Sequence, residues 1–305
     1  MRALPGVHAA IDELAMWSED LRQHPPAPFQ PALASPLDCF GDLPPLPPPP
    51  AGAGVWRPAS PRPPGFPGGD RMHVHVTPAA GDRRGTIVLV PPWRIGTPGL
   101  VSRFVALVAQ AGFDAWLTVP PHHAGRAADG ARSGEAFLST DVARIRASFE
   151  QLVLELRLLL AVAAAREGRT GILGLSLGAL GAAFAATGPE PLDLAALVAP
   201  PDLATVVAET PIGARYRRMA ARAGAPFPDD PAPLLAPFRP AARRPTARRI
   251  FVAAGRYDRV VPSAAPVALA RAWGVAPRLY PRGHLTLLFA CRELRRDLAA
   301  FLASA

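Results

Sequence analysis

The stretch Gly174-Leu175-Ser176-Leu177-Gly178 places a serine between two glycines where a strand-like run, 170–173, gives way to a small-residue helical run, 179–187. A serine at so sharp a strand-to-helix turn takes a strained backbone, the glycines admit the neighbouring strand and helix, and the hydroxyl stands exposed above the sheet. Two further residues follow at two further strand ends. Asp258 lies just past the apolar run 250–254, and His284 sits on a loop after the short strand expected at 278–280. A hydroxyl is a poor nucleophile at neutral pH, so an imidazole must take its proton and return it to the leaving group, while a carboxylate holds the imidazole's tautomer. Ser176, His284 and Asp258 are therefore the expected nucleophile, base and orienter. Taken singly, Asp258 and His284 read equally well as helix caps; the joint occurrence with the serine turn favours the triad.

The order Ser176, Asp258, His284 and the setting of the serine resemble the α/β-hydrolase superfamily, over a stretch running from about Met72 to the C-terminus. Within it, the Pro91-Pro92-Trp93 loop, the segment Val119-Pro120-Pro121-His122-His123-Ala124-Gly125-Arg126 and the turn Gly255-Arg256-Tyr257-Asp258 are similar to the α/β-hydrolase-domain-containing family numbered eighteen. The resemblance implies acyl-ester chemistry on a small-molecule or lipid ester, with no cofactor. It also implies two oxyanion donors: the N–H of Leu177, and one from the loop after the apolar run 85–90. Many relatives carry His-Gly where this chain has Pro91-Pro92, and proline has no N–H, so Trp93 is the expected second donor and Arg94 the next in line. Pro121, His123 and Arg126 match the narrower family's Pro-x-His-x-x-Arg pattern. With His122 they lie at the carboxyl end of a strand, where they orient substrate or where Arg126 pins a long loop to Asp129 or Glu135; the two roles stand even.

These residues need a scaffold, and the alternation of strands with helices argues for one: an α/β, doubly wound, mainly parallel sheet. Expected strands are 72–76, 85–90, 114–119, 170–173, 193–198, 250–254 and 278–280, with helices over 100–111 and 140–167 between them. The first alternates apolar and polar residues as an antiparallel edge strand does, setting His73 and His75 together toward solvent. A metal pair there is disfavoured, because no cysteine or acidic residue accompanies it. A small cap insertion, 199–247, contains Ile212, Tyr216, Met219, Phe227, Leu234, Leu235 and Phe238, candidates for an acyl pocket.

Residues 1–70 read as a helix and a proline-rich arm, set apart from a hydrolase domain at 71–305. Val7, Ile11, Leu14, Trp17 and Leu21 form an apolar stripe by which the helix should dock, and 25–67 is extended and proline-rich. The arm carries none of the triad, so its loss is expected to spare the chemistry; a protein partner for it is the sharper alternative. Asp12, Glu13, Glu19 and Asp20 argue against an anionic membrane surface, and neither a signal peptide nor a membrane span is expected.

The net charge of +9 suggests nucleic acid, but arginine is spread along a chain with no lysine, no asparagine and 39 prolines, the imprint of a GC-rich coding sequence. No nucleic-acid partner is expected. Two cysteines, Cys39 and Cys291, provide no disulfide framework, so a reducing cytoplasm is the default. Three functions compete: a serine esterase or lipase-like hydrolase working through an acyl-enzyme, an acyltransferase with the same triad, and a non-catalytic interaction protein of hydrolase fold.

Overall fold

The computed structural model describes residues 5–18, 35–62, 69–138, 141–222, 224 and 226–304. Helix α1 (Pro5–Ser18) is followed by β1 (Gly54–Trp56), β2 (His73–Thr77), β3 (Gly85–Val90), α2 (Ser102–Gln110), β4 (Phe113–Val119), α3 (Val142–Ala164), β5 (Arg169–Leu175), α4 (Leu177–Ala185) and β6 (Leu194–Val198). The insertion 199–247 contributes α5 (Leu203–Glu209), α6 (Pro211–Arg222) and α7 (Ala232–Leu235), and β7 (Arg249–Gly255), α8 (Ala264–Ala272), β8 (Arg278–Tyr280), α9 (His284–Ala290) and α10 (Arg292–Ala303) follow.

Among the described residues the strands form one sheet of eight, in the order β1-β2-β4-β3-β5-β6-β7-β8. From β4 to β8 all pairings are parallel, while β2 pairs antiparallel with both β4 and β1. The strands β3, β4 and β6 are buried along their whole length, as a sheet covered by helices on both faces requires. After β3 the chain builds outward to β4, then returns past β3 to continue with β5, so the winding reverses between β3 and β5. At such a reversal the loops after adjacent strands diverge and leave a crevice at their carboxyl ends. Trp93 follows β3 and Ser176 follows β5.

Strand β2 was expected at the sheet's edge, but β1, from the proline-rich arm, pairs outside it, with Val55 opposite His75. His73 and His75 are consequently half-buried instead of facing water, and burial together with the Arg126 and Arg57 guanidinium groups pushes His73 down to about 4. Among the described residues no group of three His, Cys, Asp or Glu side chains is placed to hold a metal ion, and no helix is long and apolar enough to cross a membrane.

The arm is also the partner of α3. That helix buries Ser148, Glu150, Gln151, Glu155 and Arg157 alongside its leucines. Buried polar groups need partners, and the arm supplies them: Gln151 Nε2 donates to the Gly69 carbonyl at 2.8 Å, Arg157 Nη1 to that of Cys39 at 2.7 Å, and Glu150 Oε1 accepts from the Asp38 N–H at 2.8 Å. Along the proline run, Leu43, Leu46 and Pro49 are half-buried while the positions between them are exposed. A period of three is that of a polyproline II helix laid with one edge on the protein.

The helix α1 docks in the opposite sense to its apolar stripe. Val7, Ile11 and Leu14 are exposed, whereas His8 and Asp12 are buried. The Trp17 side chain and Leu21, the other members of the stripe, lie outside the described residues, as do Glu19 and Asp20. The buried face is chosen by specific partners: Asp12 accepts hydrogen bonds from the His284 loop, and Glu13 pairs with Arg259 at 3.3 Å.

Candidate active site

Ser176 is held where β5 breaks into α4, with φ 54° and ψ −119°. An L-residue is strained there, and it stays because its neighbours leave no other path. Its N–H donates to the Val198 carbonyl at 2.8 Å. A Cβ on Gly174 would meet the Ala179 Cα at 2.5 Å, and one on Gly178 would run into the carbonyl oxygens of Val90 and Pro91. Strand β5, helix α4 and the loop after β3 thus meet at van der Waals contact only because both flanking positions are glycine.

His284 Nε2 lies 2.9 Å from Ser176 Oγ, and its Nδ1 lies 2.7 Å from Asp258 Oδ2. A carboxylate only accepts, so Nδ1 carries the hydrogen and Nε2 is left to accept from the serine hydroxyl. Asp258 is itself fixed: its Oδ1 accepts from the N–H groups of Val260 and Val261 at 2.9 and 2.7 Å. All three side chains are buried. Burial works to lower the His284 pKa, but the charge and hydrogen bond of Asp258, joined by the charge of Asp12, outweigh it and raise the pKa above the ordinary 6.5. That interaction stabilises the fold fully below pH 6.5 and fades as pH rises through the folded-state value.

Ser176 and His284 lie on a cleft of about 830 Å³, counting space open to solvent, lined also by Trp93, Arg94, Ile212 and Asp12 among others, with Asp258 behind the imidazole. Leu177 is the first residue of α4, so its N–H has no acceptor within the helix and points out at the positive end of the helix dipole. Trp93, the first residue with a main-chain N–H after Pro91-Pro92, is pinned by its indole, which donates to the Gly134 carbonyl at 2.7 Å, and by the Arg94 guanidinium 4.8 Å from its ring centre. A second, almost wholly apolar cavity of about 620 Å³, again counting space open to solvent, is walled by Val207, Tyr216, Phe227 and Leu235 of the 199–247 insertion, and shares Trp93 and Ile212 with the cleft.

His122, His123 and Arg126 do not line that cleft. Arg126 is fully buried and grips Glu155 with both terminal nitrogens at 2.7 Å, while also donating to the Val119 carbonyl at 2.9 Å. It pins the loop, and its partner is neither Asp129 nor Glu135. His122 Nε2 meets Ser148 Oγ at 3.0 Å, and His123 Nδ1 meets the Pro121 carbonyl at 2.8 Å; burial pushes His123 down to about 4, keeping it neutral. These three residues brace the segment after β4. Arg126→Met, which strands the Glu155 carboxylate in the interior, is expected to cost about 3–5 kcal/mol in a urea unfolding curve. The chains that remain folded should keep an intact cleft.

Neither a protein-family model nor a curated protein matches this chain. Solved structures do. An acetyl xylan esterase from Paenibacillus sp. R4 superposes with a TM-score of 0.58 at 15% identity, over 98% of this chain and 93% of that one. A 2,6-dihydroxy-pseudo-oxynicotine hydrolase gives 0.54 at 18% identity, over 84% and 68%. A soluble variant of monoglyceride lipase from Saccharomyces cerevisiae gives 0.53 at 11%, over 77% and 92%. Identities this low speak for the fold alone: the chain has the α/β-hydrolase fold.

Proposed function

We propose that the protein is a serine hydrolase that cleaves a carboxylic ester through an acyl-enzyme. The observation that carries this reading is the continuous hydrogen-bonded line from Asp258 through His284 to Ser176, at 2.7 and 2.9 Å. Ser176 Oγ attacks the ester carbonyl as His284 Nε2 takes its proton, and the Leu177 and Trp93 N–H groups receive the oxyanion. Collapse of the tetrahedral intermediate expels the alcohol, which takes the proton from His284, and leaves the acyl group on Ser176. Water, deprotonated by the same imidazole, then releases the carboxylic acid and restores the serine.

The apolar cavity beyond Trp93 and Ile212 supports an ester whose acyl part is apolar, seated under the cap while the alcohol faces the cleft. The Pro-Pro-Trp loop and the Pro-x-His-x-x-Arg segment support the narrower likeness to the family numbered eighteen, with the second motif bracing the loop rather than holding substrate. Two unpaired, buried cysteines fit work in a reducing cytoplasm.

The test is labelling with a fluorophosphonate, followed by a p-nitrophenyl ester panel of rising chain length. Labelling at Ser176 is expected; its absence in folded protein would end the proposal. Ile212→Trp, which adds bulk at a wall the two cavities share, should spare the acetyl ester and lower kcat/KM on longer esters by about 10- to 100-fold. An equal loss across the panel would mean that the acyl chain lies elsewhere.

A further inference from the structure

Among the described residues, Asp12 alone brings an acid from the arm to the cleft that holds Ser176. It is fully buried, and three main-chain N–H groups satisfy its carboxylate: Oδ2 accepts from His284 at 2.7 Å and from Arg259 at 3.2 Å, and Oδ1 from Leu285 at 3.0 Å. The donors belong to two different loops. Arg259 follows Asp258 on the loop after β7, and His284 and Leu285 open α9 on the loop after β8. Asp12 therefore ties together the loops that carry the acid and the base, beside the 2.7 Å contact that Asp258 and His284 make themselves.

The docking around it is specific. His8 Nδ1 meets Thr286 Oγ1 at 2.9 Å, and the His8 ring stacks over Tyr257 at 6.1 Å between centres. A Cβ on Gly283 would meet Asp12 Oδ2 at 2.6 Å, so the helix sits directly on the turn before His284. Simple packing would not call for an acid here. A buried carboxylate carries a desolvation cost that an apolar side chain avoids, and this one stands next to an imidazole that must gain a proton in the proposed reaction.

On the triad reading given above, we propose that Asp12 is a positioning residue of the site: it clamps the Asp258 and His284 loops in register, and its charge favours the imidazolium that forms when Ser176 gives up its proton. The N-terminal helix is then a working part of the site.

The charged and titratable groups around the imidazole are Asp258 and Arg259 on the loop after β7, His8, Asp12 and Glu13 on α1, Arg282 on its own loop, and Arg94 across the cleft. Of these, Asp258 and Asp12 raise its pKa against the effect of burial. The experiment compares full-length wild type with Asp12→Asn and Asp12→Ser, using the p-nitrophenyl ester that wild type hydrolyses best. Rates are referred to the fraction of chains that a fluorophosphonate labels, so that unfolded protein is not counted as lost rate. Both variants are expected to lose about 10- to 100-fold in kcat with little change in KM. The acid limb of the kcat/KM profile should move to lower pH, because a negative charge that favoured the protonated imidazole is gone; a purely structural loss would leave that limb in place. Wild-type kcat per labelled site with an unmoved limb overturns the clamp. Ser176→Ala, run in parallel, separates the two ideas: if it turns over like wild type, the triad reading itself fails, and if it is inert while Asp12→Asn matches wild type, only the role of Asp12 fails.

Discussion

Ser176→Ala is expected to lower kcat by about 10⁴- to 10⁶-fold and to abolish fluorophosphonate labelling, with the melting temperature nearly unchanged. The size follows from the joint action of the proposed triad: without an oxygen in line with His284 Nε2, the base has nothing to activate, and the oxyanion donors retain only a residual effect. Ser176→Gly makes a sharper companion. It should be equally inactive yet more stable than the alanine variant by about 1–3 kcal/mol, because glycine adopts the φ of 54° without strain. Persistent labelling in either variant would place the nucleophile elsewhere. A glycine variant no more stable than alanine would mean that the turn holds no strain.

Asp258→Asn should reduce kcat by about 10⁴-fold at pH 7 while the protein stays folded. An amide at this position can donate to Nδ1, which favours the tautomer whose hydrogen sits on Nε2, where it opposes the serine hydroxyl. Losing the charge also removes the main force raising the imidazole pKa against burial, so the small remaining activity should extend to lower pH than in wild type. Two other carboxylates serve as controls. Asp202 caps α5 by accepting from the Thr205 N–H at 2.9 Å, and Asp193 accepts from the Thr170 N–H at 3.0 Å, at the far end of β5 from Ser176. Their asparagine variants should stay within a few-fold of wild-type kcat. A crippling Asp202→Asn beside a mild Asp258→Asn would move the acid to the loop after β6.

The sheet and the three residues in line at its carboxyl edge were legible because their signals are local. An apolar run bounded by turns is a strand wherever it lies, and Gly-x-Ser-x-Gly between a strand and a helix sets its own geometry. What escaped depends on partners distant in sequence. Nothing near Arg126 announces Glu155, because a buried ion pair leaves no pattern beyond two charges in apolar company. The same holds for Asp12. On a helix taken alone it reads as part of the solvated face, and Val7, Ile11 and Leu14 as the docking face; the order is reversed because hydrogen bonds from a loop 272 residues away outweigh a short apolar stripe. The hint in the sequence was faint: His8 and Asp12 share a helical face, and both are residue types that bond to loop backbones. The arm's grip on α3 was also half visible, since a long helix with Gln151, Glu155 and Arg157 among leucines must find polar partners, though the sequence does not say where.

The span between Asp12 and the N–H of His284 has a consequence for the timing of synthesis. At roughly 5–20 residues per second, the ribosome delivers His284 about 14 to 54 s after Asp12. Through that interval α1 has nothing to cap, and the arm waits for α3, whose Glu150 trails Asp38 by 112 residues. Residues made early are thus among the last to find their places. A nascent chain therefore carries Ser176 well before the base is made, and on the proposed reading it stays chemically silent until the loops holding Asp258 and His284 have emerged and packed against α1.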